Sequence, residues 1–294
     1  MSWTEKIFDK IDSIGAANYK PTATWIFSRL VYLWLIAFWI FYWNDYLLMY
    51  GEEALISTYN SRPGLITNGA YFLSYHPHWA QAILWIHLVA CVLSMWERIS
   101  YFPRIVVYVT MLMFYFGGHY SHNSGFLLMM LFTAYLIVVN LRYRNRILVM
   151  LSNFGVWACM VQVCIVYAIA ALAKWRGDQW PDGTAVHYAL NLDMYGDHPI
   201  SEFIVQYPAI TAALTYLWLA YQTLFPIFIW VKPTKRIFLL MGLGFHFFIA
   251  IVMNLYFFSA AMTLGYILFA RRDSLRAFAE KVPGLRSKKK PARH

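Results

Sequence analysis

The sequence predicts an all-α fold: a polytopic integral membrane helical bundle of about eight spans with both termini cytoplasmic. Three observations carry this expectation. Of the 294 residues, 61% are hydrophobic and only 13% are charged, a balance that soluble domains rarely reach. The apolar residues gather into runs near the ~20 residues that one helical crossing requires. Lysine and arginine concentrate on alternate connections between those runs, the pattern that orients a span with its basic end inside.

Residues 1–20, MSWTEKIFDKIDSIGAANYK, hold no continuous apolar stretch and no small-residue cleavage site, so they do not read as a cleaved signal peptide. Trp3, Ile7, Ile11 and Ile14 fall on one helical face, which predicts an amphipathic helix lying along the membrane surface. The bundle occupies 21–271, with spans expected near 25–43, 79–96, 104–118, 125–140, 153–174, 208–231, 237–256 and 258–271. Three of these, at 104–118, 125–140 and 258–271, are short for a crossing, and weak tilt and partial insertion are both open for them. Residues 272–294 form a basic cytoplasmic tail ending in RSKKKPARH, suited to an anionic inner leaflet. No internal repeat at a fixed period and no second domain stand out.

In this arrangement all of the 24 lysines and arginines except Arg62, Lys174 and Arg176 lie on the inner side. The formal net charge of +10 therefore reflects topology, and the partner it implies is the lipid bilayer. It does not indicate nucleic acid, because the basic residues are spread over loops and a tail without forming a recognisable nucleic-acid module. Aromatic residues make up 19% of the chain and cluster at the ends of apolar runs, as membrane-interface belts do. Cys91, Cys159 and Cys164 sit inside apolar runs without metal-ligand spacing and read as packed thiols. His76 and His78 in SYHPHW lack an evident third ligand and read as a surface turn, so no metal is expected.

The remaining chemistry gathers at the outer ends of the spans. GGHYSHNSG, residues 117–125, brings His119 and His122 to a tight connection between two apolar helices, where a hydrated hairpin and a functional pair are both open. His87 and His246 lie within spans, where an imidazole either bonds across helices or serves function. Lys174 is sharper, since it closes the apolar run CIVYAIAALA. A lysine at the centre of a span costs about 2.5 to 3.5 kcal/mol on insertion scales. Either the side chain snorkels to the outer interface, or the amine is kept from water and serves as a base. Asp178 or Asp182 in the following WRGDQWPDG is placed to pair with it and hold it charged.

The runs QVCIVYAIAALAKWRGDQWPDGTAVHYAL, YPAITAALTYLWLAYQTLFPIFIWV and GLGFHFFIAIVMNLYFFSAAMTLGYILF carry a resemblance in the order Lys-Trp, Trp-x-x-Gly, Tyr-Pro, Phe-Pro and Phe-His. Over approximately 20–271 the chain resembles the HTTM (horizontally transferred transmembrane) family, related to vitamin K-dependent gamma-carboxylases. The resemblance is strongest from Gln162 to Phe269.

What it implies is an outward-facing active site in a helical bundle. There a quinol, a vitamin K-like hydroquinone, is deprotonated and oxidised by O₂, the strong base so formed removes a glutamate γ-proton, and CO₂ adds to the carbanion. Lys174 matches the family's lysine base toward the hydroquinone. The family's histidine in an Asn-His-Ser context falls near His122-Asn123-Ser124. The order here is His-Asn-Ser, so strict alignment puts Asn123 in its place and leaves His122 one position away. Phe245-His246 matches the family's Phe-His pair and implies a pocket-lining His246. Trp175 and Trp180 are candidates to sandwich the quinone ring, although interfacial anchoring accounts for them equally. Asp178, Asp182 and His119 are candidate substrate contacts at the same outer face.

The long extramembrane portion that follows the carboxylase bundle, and helps bind propeptide and substrate, has no counterpart here. Short bacterial relatives include proteins that help to mature secreted peptide toxins. The resemblance thus implies a bacterial inner-membrane protein acting on a small exported peptide or another substrate, by carboxylation or another reaction. A non-catalytic partner for maturation, immunity or export of a small peptide is the alternative. A transporter is disfavoured by the lack of repeats and of paired broken helices.

Overall fold

The structure is a computed structural model that describes residues 16–51, 69, 72–96, 101–118, 122–196 and 198–270. The amphipathic helix expected over 1–20 lies outside the described residues except for Ala16–Lys20, and so do His119 and the basic tail at 272–294. Every element among the described residues is helical. In chain order they are α1 (Pro21–Phe41), α2 (Trp43–Tyr50), α3 (Phe72–Tyr75), a 3₁₀ turn (Pro77–Trp79), α4 (Ala80–Ser94), α5 (Phe102–Gly117), α6 (Ser124–Leu136) and α7 (Arg146–Trp175). The second half holds α8 (Ala185–Leu190), α9 (Asp193–Gly196), α10 (Pro199–Val205), α11 (Pro208–Phe228), α12 (Lys232–Val252), α13 (Tyr256–Leu264) and a closing 3₁₀ turn (Gly265–Leu268).

Among the described residues, five helical stretches are long and apolar enough to cross a membrane: Pro21–Phe41, Pro77–Ser94, Arg146–Trp175, Pro208–Phe228 and Lys232–Val252. They make the chain a helical membrane protein. Three further apolar helices, Phe102–Gly117, Ser124–Leu136 and Tyr256–Leu268, correspond to the three short spans of the sequence reading and fall below the ~20 residues of a full crossing. At 30 residues α7 is the longest helix. With a rise of ~1.5 Å per residue it measures roughly 45 Å, longer than a hydrocarbon layer of ~30 Å.

Helices adjacent in the chain pack against one another. Helices α4 and α5 form one pair and α12 and α13 another, while α7 lies between α6 and α11. Helix α13 reaches across to α6 and α1, which closes the bundle. Its densest part is aromatic: Trp39 is fully buried with its ring 4.6 Å from Phe114 and 5.3 Å from Tyr46. The opposite faces carry Ile169, Leu172, Leu240 and Phe247 outward, as suits contact with hydrocarbon.

Helix ends inside the bundle need partners that lipid does not offer. Asn123 begins α6 by accepting from the Gly125 and Phe126 backbone N–H groups at 2.9 and 3.2 Å. Asn145 does the same for α7 with Ile147 and Leu148 at 2.9 and 3.3 Å. At the other end of α6, the buried Arg104 of α5 donates to the carbonyls of Leu136 at 3.0 Å and of Val139. A cation at a helix C-terminus is favourably placed both by charge and by hydrogen bonding.

Candidate functional site

The C-terminal end of α7, the turn after it, α8, α11, α12 and the start of α13 enclose a cavity of about 250 Å³. Its wall is almost wholly carbon, with Trp180, Trp218, Phe245, Phe248 and Phe258 among the lining rings. Lys174 and Gln222 are the chemically distinct exceptions. The Cα–Cβ bonds of a helix tilt toward its N-terminus, so a side chain near the end of α7 leans back over the apolar layer. Lys174 follows that direction and lines the cavity.

The turn after α7 positions Trp180. Gly183 takes a φ of +83°, a left-handed conformation that glycine adopts freely. The chain doubles back there, and the Thr184 and Ala185 N–H groups donate to the Gln179 carbonyl at 2.9 and 2.8 Å. The Tyr216 hydroxyl of α11 ties the turn down by donating to the Pro181 carbonyl at 3.1 Å. The Trp180 ring then faces the Lys174 side chain, whose Nζ is 4.6 Å from the ring centroid. This is the geometry of a cation–π contact.

Among the described residues no carboxylate pairs with Lys174. Asp182 instead accepts from the Thr184 hydroxyl at 2.6 Å, and Asp178 is exposed. Two of the polar groups expected to hold the lysine charged are therefore engaged elsewhere or in solvent. Trp175 also turns away: its side chain is exposed, and its indole N–H donates to the Thr223 hydroxyl at 3.0 Å.

His246 stands one layer behind the cavity, with its ring 5.9 Å from that of Trp218 and 5.8 Å from that of Phe258, both of which line the cavity. It is 1% exposed. Its Nε2 lies 2.7 Å from the Tyr167 hydroxyl of α7, which bonds to the Tyr266 hydroxyl. Tyr266 is 3.0 Å from the Tyr221 hydroxyl, and Tyr221 donates to the Phe238 carbonyl at 3.3 Å. The remaining imidazole nitrogen, Nδ1, is buried without a hydrogen-bond partner, as is the side-chain oxygen of Gln222. Each such group left unmade costs about 1 to 3 kcal/mol.

His122 and Asn123 do not line this cavity. The His122 Nε2 lies 2.5 Å from the Tyr50 hydroxyl and 3.0 Å from the Phe114 carbonyl, and its ring stacks on Phe126 at 3.9 Å. The Asn123 oxygen is occupied by the two N–H groups at the start of α6. Of the residues singled out in the sequence, Lys174 and Trp180 thus share the cavity and His246 backs it, whereas Trp175, Asp178, Asp182, His122 and Asn123 lie outside its lining. Among the described residues no cluster of histidine, cysteine and acidic groups suits a metal.

Sequence reading passed over Trp218, Gln222, Phe258 and the three tyrosines. One signal was present: Gln222 interrupts the apolar run TYLWLAYQTLFP, on the same helical face as Trp218 and Phe225. The tyrosines gave none, because they come from α7, α11 and the turn after α13.

Fold and site together define a helical membrane protein with a lysine-bearing, aromatic-walled cavity. Comparison of the chain with family models, curated proteins and solved structures finds no match.

Proposed function

We propose that this protein is a membrane enzyme resembling the vitamin K-dependent gamma-carboxylases, using Lys174 as a base toward a quinol-type ligand to modify an exported peptide or other substrate. The observation that carries the reading is Lys174 in the cavity lining, facing Trp180, with no carboxylate paired to it among the described residues. Eight crossings, cytoplasmic termini, a bacterial inner membrane and a cavity open to the outer side belong to this reading.

The cavity suits such a ligand chemically. A flat ring finds aromatic walls in Trp180, Trp218 and Phe258, with rings stacking or meeting edge to face. A ligand hydroxyl reaching Lys174 meets the one amine of the lining. Transfer breaks the ligand O–H bond and forms an N–H bond, leaving an ammonium beside an oxyanion. That pair is strong where water is excluded. When bound, a quinol supplies the reducing equivalents for reaction with O₂, and CO₂ is the further reactant if carboxylation is retained. Trp180 holds the ammonium over its ring, and the apolar wall keeps water from the anion.

The test is oxygen consumption with 1,4-naphthohydroquinone by protein in lipid nanodiscs, corrected for uncatalysed oxidation. Lys174→Met and Lys174→Arg both abolish the protein-dependent rate in this account, because arginine does not give up its proton. A rate that survives Lys174→Arg rejects the base.

A second reading is supported by the placement of His122 and Asn123 outside the cavity lining, away from the lysine with which the resemblance groups them. It takes the protein as a non-catalytic partner for maturation, immunity or export of a small peptide, with Lys174 as a docking charge. Peptide export that tolerates Lys174→Arg supports it.

A further inference from the structure

The hydrogen-bond chain behind the cavity has a direction that proton counting determines. Its links are His246 to Tyr167, Tyr167 to Tyr266, Tyr266 to Tyr221, and Tyr221 to the Phe238 carbonyl. Each link needs one hydrogen. A carbonyl only accepts, so the last link takes the Tyr221 proton. Tyr266 must then donate to Tyr221, and Tyr167 to Tyr266. With all three hydroxyl protons spent, the first link is made only if the imidazole donates from Nε2. A neutral imidazole carries one N–H, so Nδ1 is left as a bare lone pair. The opposite tautomer leaves one link of this buried chain without a hydrogen.

The sequence makes room for the chain at one residue. Gly242 of α12 is buried, and a methyl group there would overlap the hydroxyl oxygens of both Tyr221 and Tyr266. The absence of a side chain lets the hydroxyls of α11 and of the turn after α13 meet beside α12.

We propose that Tyr167, Tyr266 and Tyr221 are positioning residues that hold His246 as a hydrogen-bond acceptor, and that Nδ1 receives a donor from the buried end of the cavity's ligand. Three observations converge on this role. Nδ1 is buried and unpartnered, the imidazole is 1% exposed, and two rings of the cavity wall, Trp218 and Phe258, stand beside it at 5.9 and 5.8 Å. For a ligand donor to reach Nδ1, Trp218 or Phe258 must turn aside. The ligand class follows: an apolar molecule with one group for Lys174 and a hydroxyl or N–H at its opposite end. The acceptor role rests on the reading of the cavity as the ligand site, whereas the tautomer rests on the chain alone.

The experiment is ¹⁵N solid-state NMR of histidine-labelled protein in lipid, with His246 assigned by the signals lost in His246→Gln. The expected spectrum has Nε2 protonated and Nδ1 bare. In Tyr221→Phe, whose altered hydroxyl lies three links from the imidazole, the tie to the Phe238 carbonyl is lost and the chain can run either way, so a second population with protonated Nδ1 emerges. A merely space-filling tyrosine leaves the tautomer unchanged. Adding 2,6-dihydroxynaphthalene shifts the Nδ1 resonance, and 2,6-dimethoxynaphthalene, of similar shape without donors, does not.

A protonated Nδ1 in the unaltered protein overturns the chain's direction. An Nδ1 resonance indifferent to the dihydroxy probe, in protein whose Lys174-dependent oxygen consumption persists, overturns the acceptor role while leaving the proposed function standing. Loss of the lysine dependence with the Nδ1 shift intact does the reverse.

Discussion

The Lys174 side-chain nitrogen lies 4.6 Å from the centre of the Trp180 ring, and both side chains line one cavity. Between them stands the end of a long apolar helix, and just beyond Trp180 the chain turns back at Gly183. A desolvated cation–π contact is worth up to ~2 kcal/mol. Replacing Trp180 by leucine keeps an apolar wall and removes the ring face. Affinity for 2,6-dihydroxynaphthalene, measured by calorimetry in nanodiscs, should fall by about 1 kcal/mol, roughly fivefold.

Asn123 separates a capping role from a ligand role. Its oxygen accepts from Gly125 and Phe126, and it does not line the cavity. Asn123→Ala should therefore cost about 1 kcal/mol of stability. Thermal unfolding in detergent checks that loss, and calorimetry should find the naphthalene affinity unchanged.

Arg104 predicts a larger effect from a residue far from any proposed chemistry. It is 7% exposed, and it satisfies the Leu136 and Val139 carbonyls where α6 ends. Methionine in its place fills similar space and leaves the Val139 carbonyl without its donor, while the Leu136 carbonyl keeps the Val139 N–H at 3.2 Å. The expected loss is about 1 to 3 kcal/mol for the carbonyl left unmade, seen as a lowered unfolding midpoint.

Gly242 tests the tyrosine cluster from the backbone side. Gly242→Ala introduces a methyl where the Tyr221 and Tyr266 hydroxyls sit. Overpacking of this kind costs about 1 to 3 kcal/mol. At Gly244 one turn face away, where nothing meets an added Cβ, alanine should be harmless or slightly stabilising by the same unfolding measurement.

The helical character and the apolar length of five crossings were legible because they repeat along the chain: hydropathy and basic loops are local signals. Lys174 was legible for the same reason, as a charge ending the run CIVYAIAALA. The cavity around it was not, since Trp218, Phe245 and Phe258 come from three other helices and spacing within one helix says nothing of which faces meet. His122 shows the converse. Its place beside an asparagine and a serine matched the context of the family's histidine, but the fold turns it toward Tyr50 and Phe114, outside the cavity lining. His246 was visible as a polar residue in a span, while its tautomer depends on hydroxyls contributed from 167, 221 and 266, which only the packed bundle unites.

The account turns on whether Lys174 takes a proton from a ligand hydroxyl in this cavity. The absorption spectrum of 2,6-dihydroxynaphthalene bound to the protein in nanodiscs at neutral pH reads that directly, since the naphtholate and the naphthol absorb at different wavelengths. The account predicts the naphtholate in the unaltered protein and the neutral naphthol in Lys174→Met. A neutral naphthol in both would contradict it.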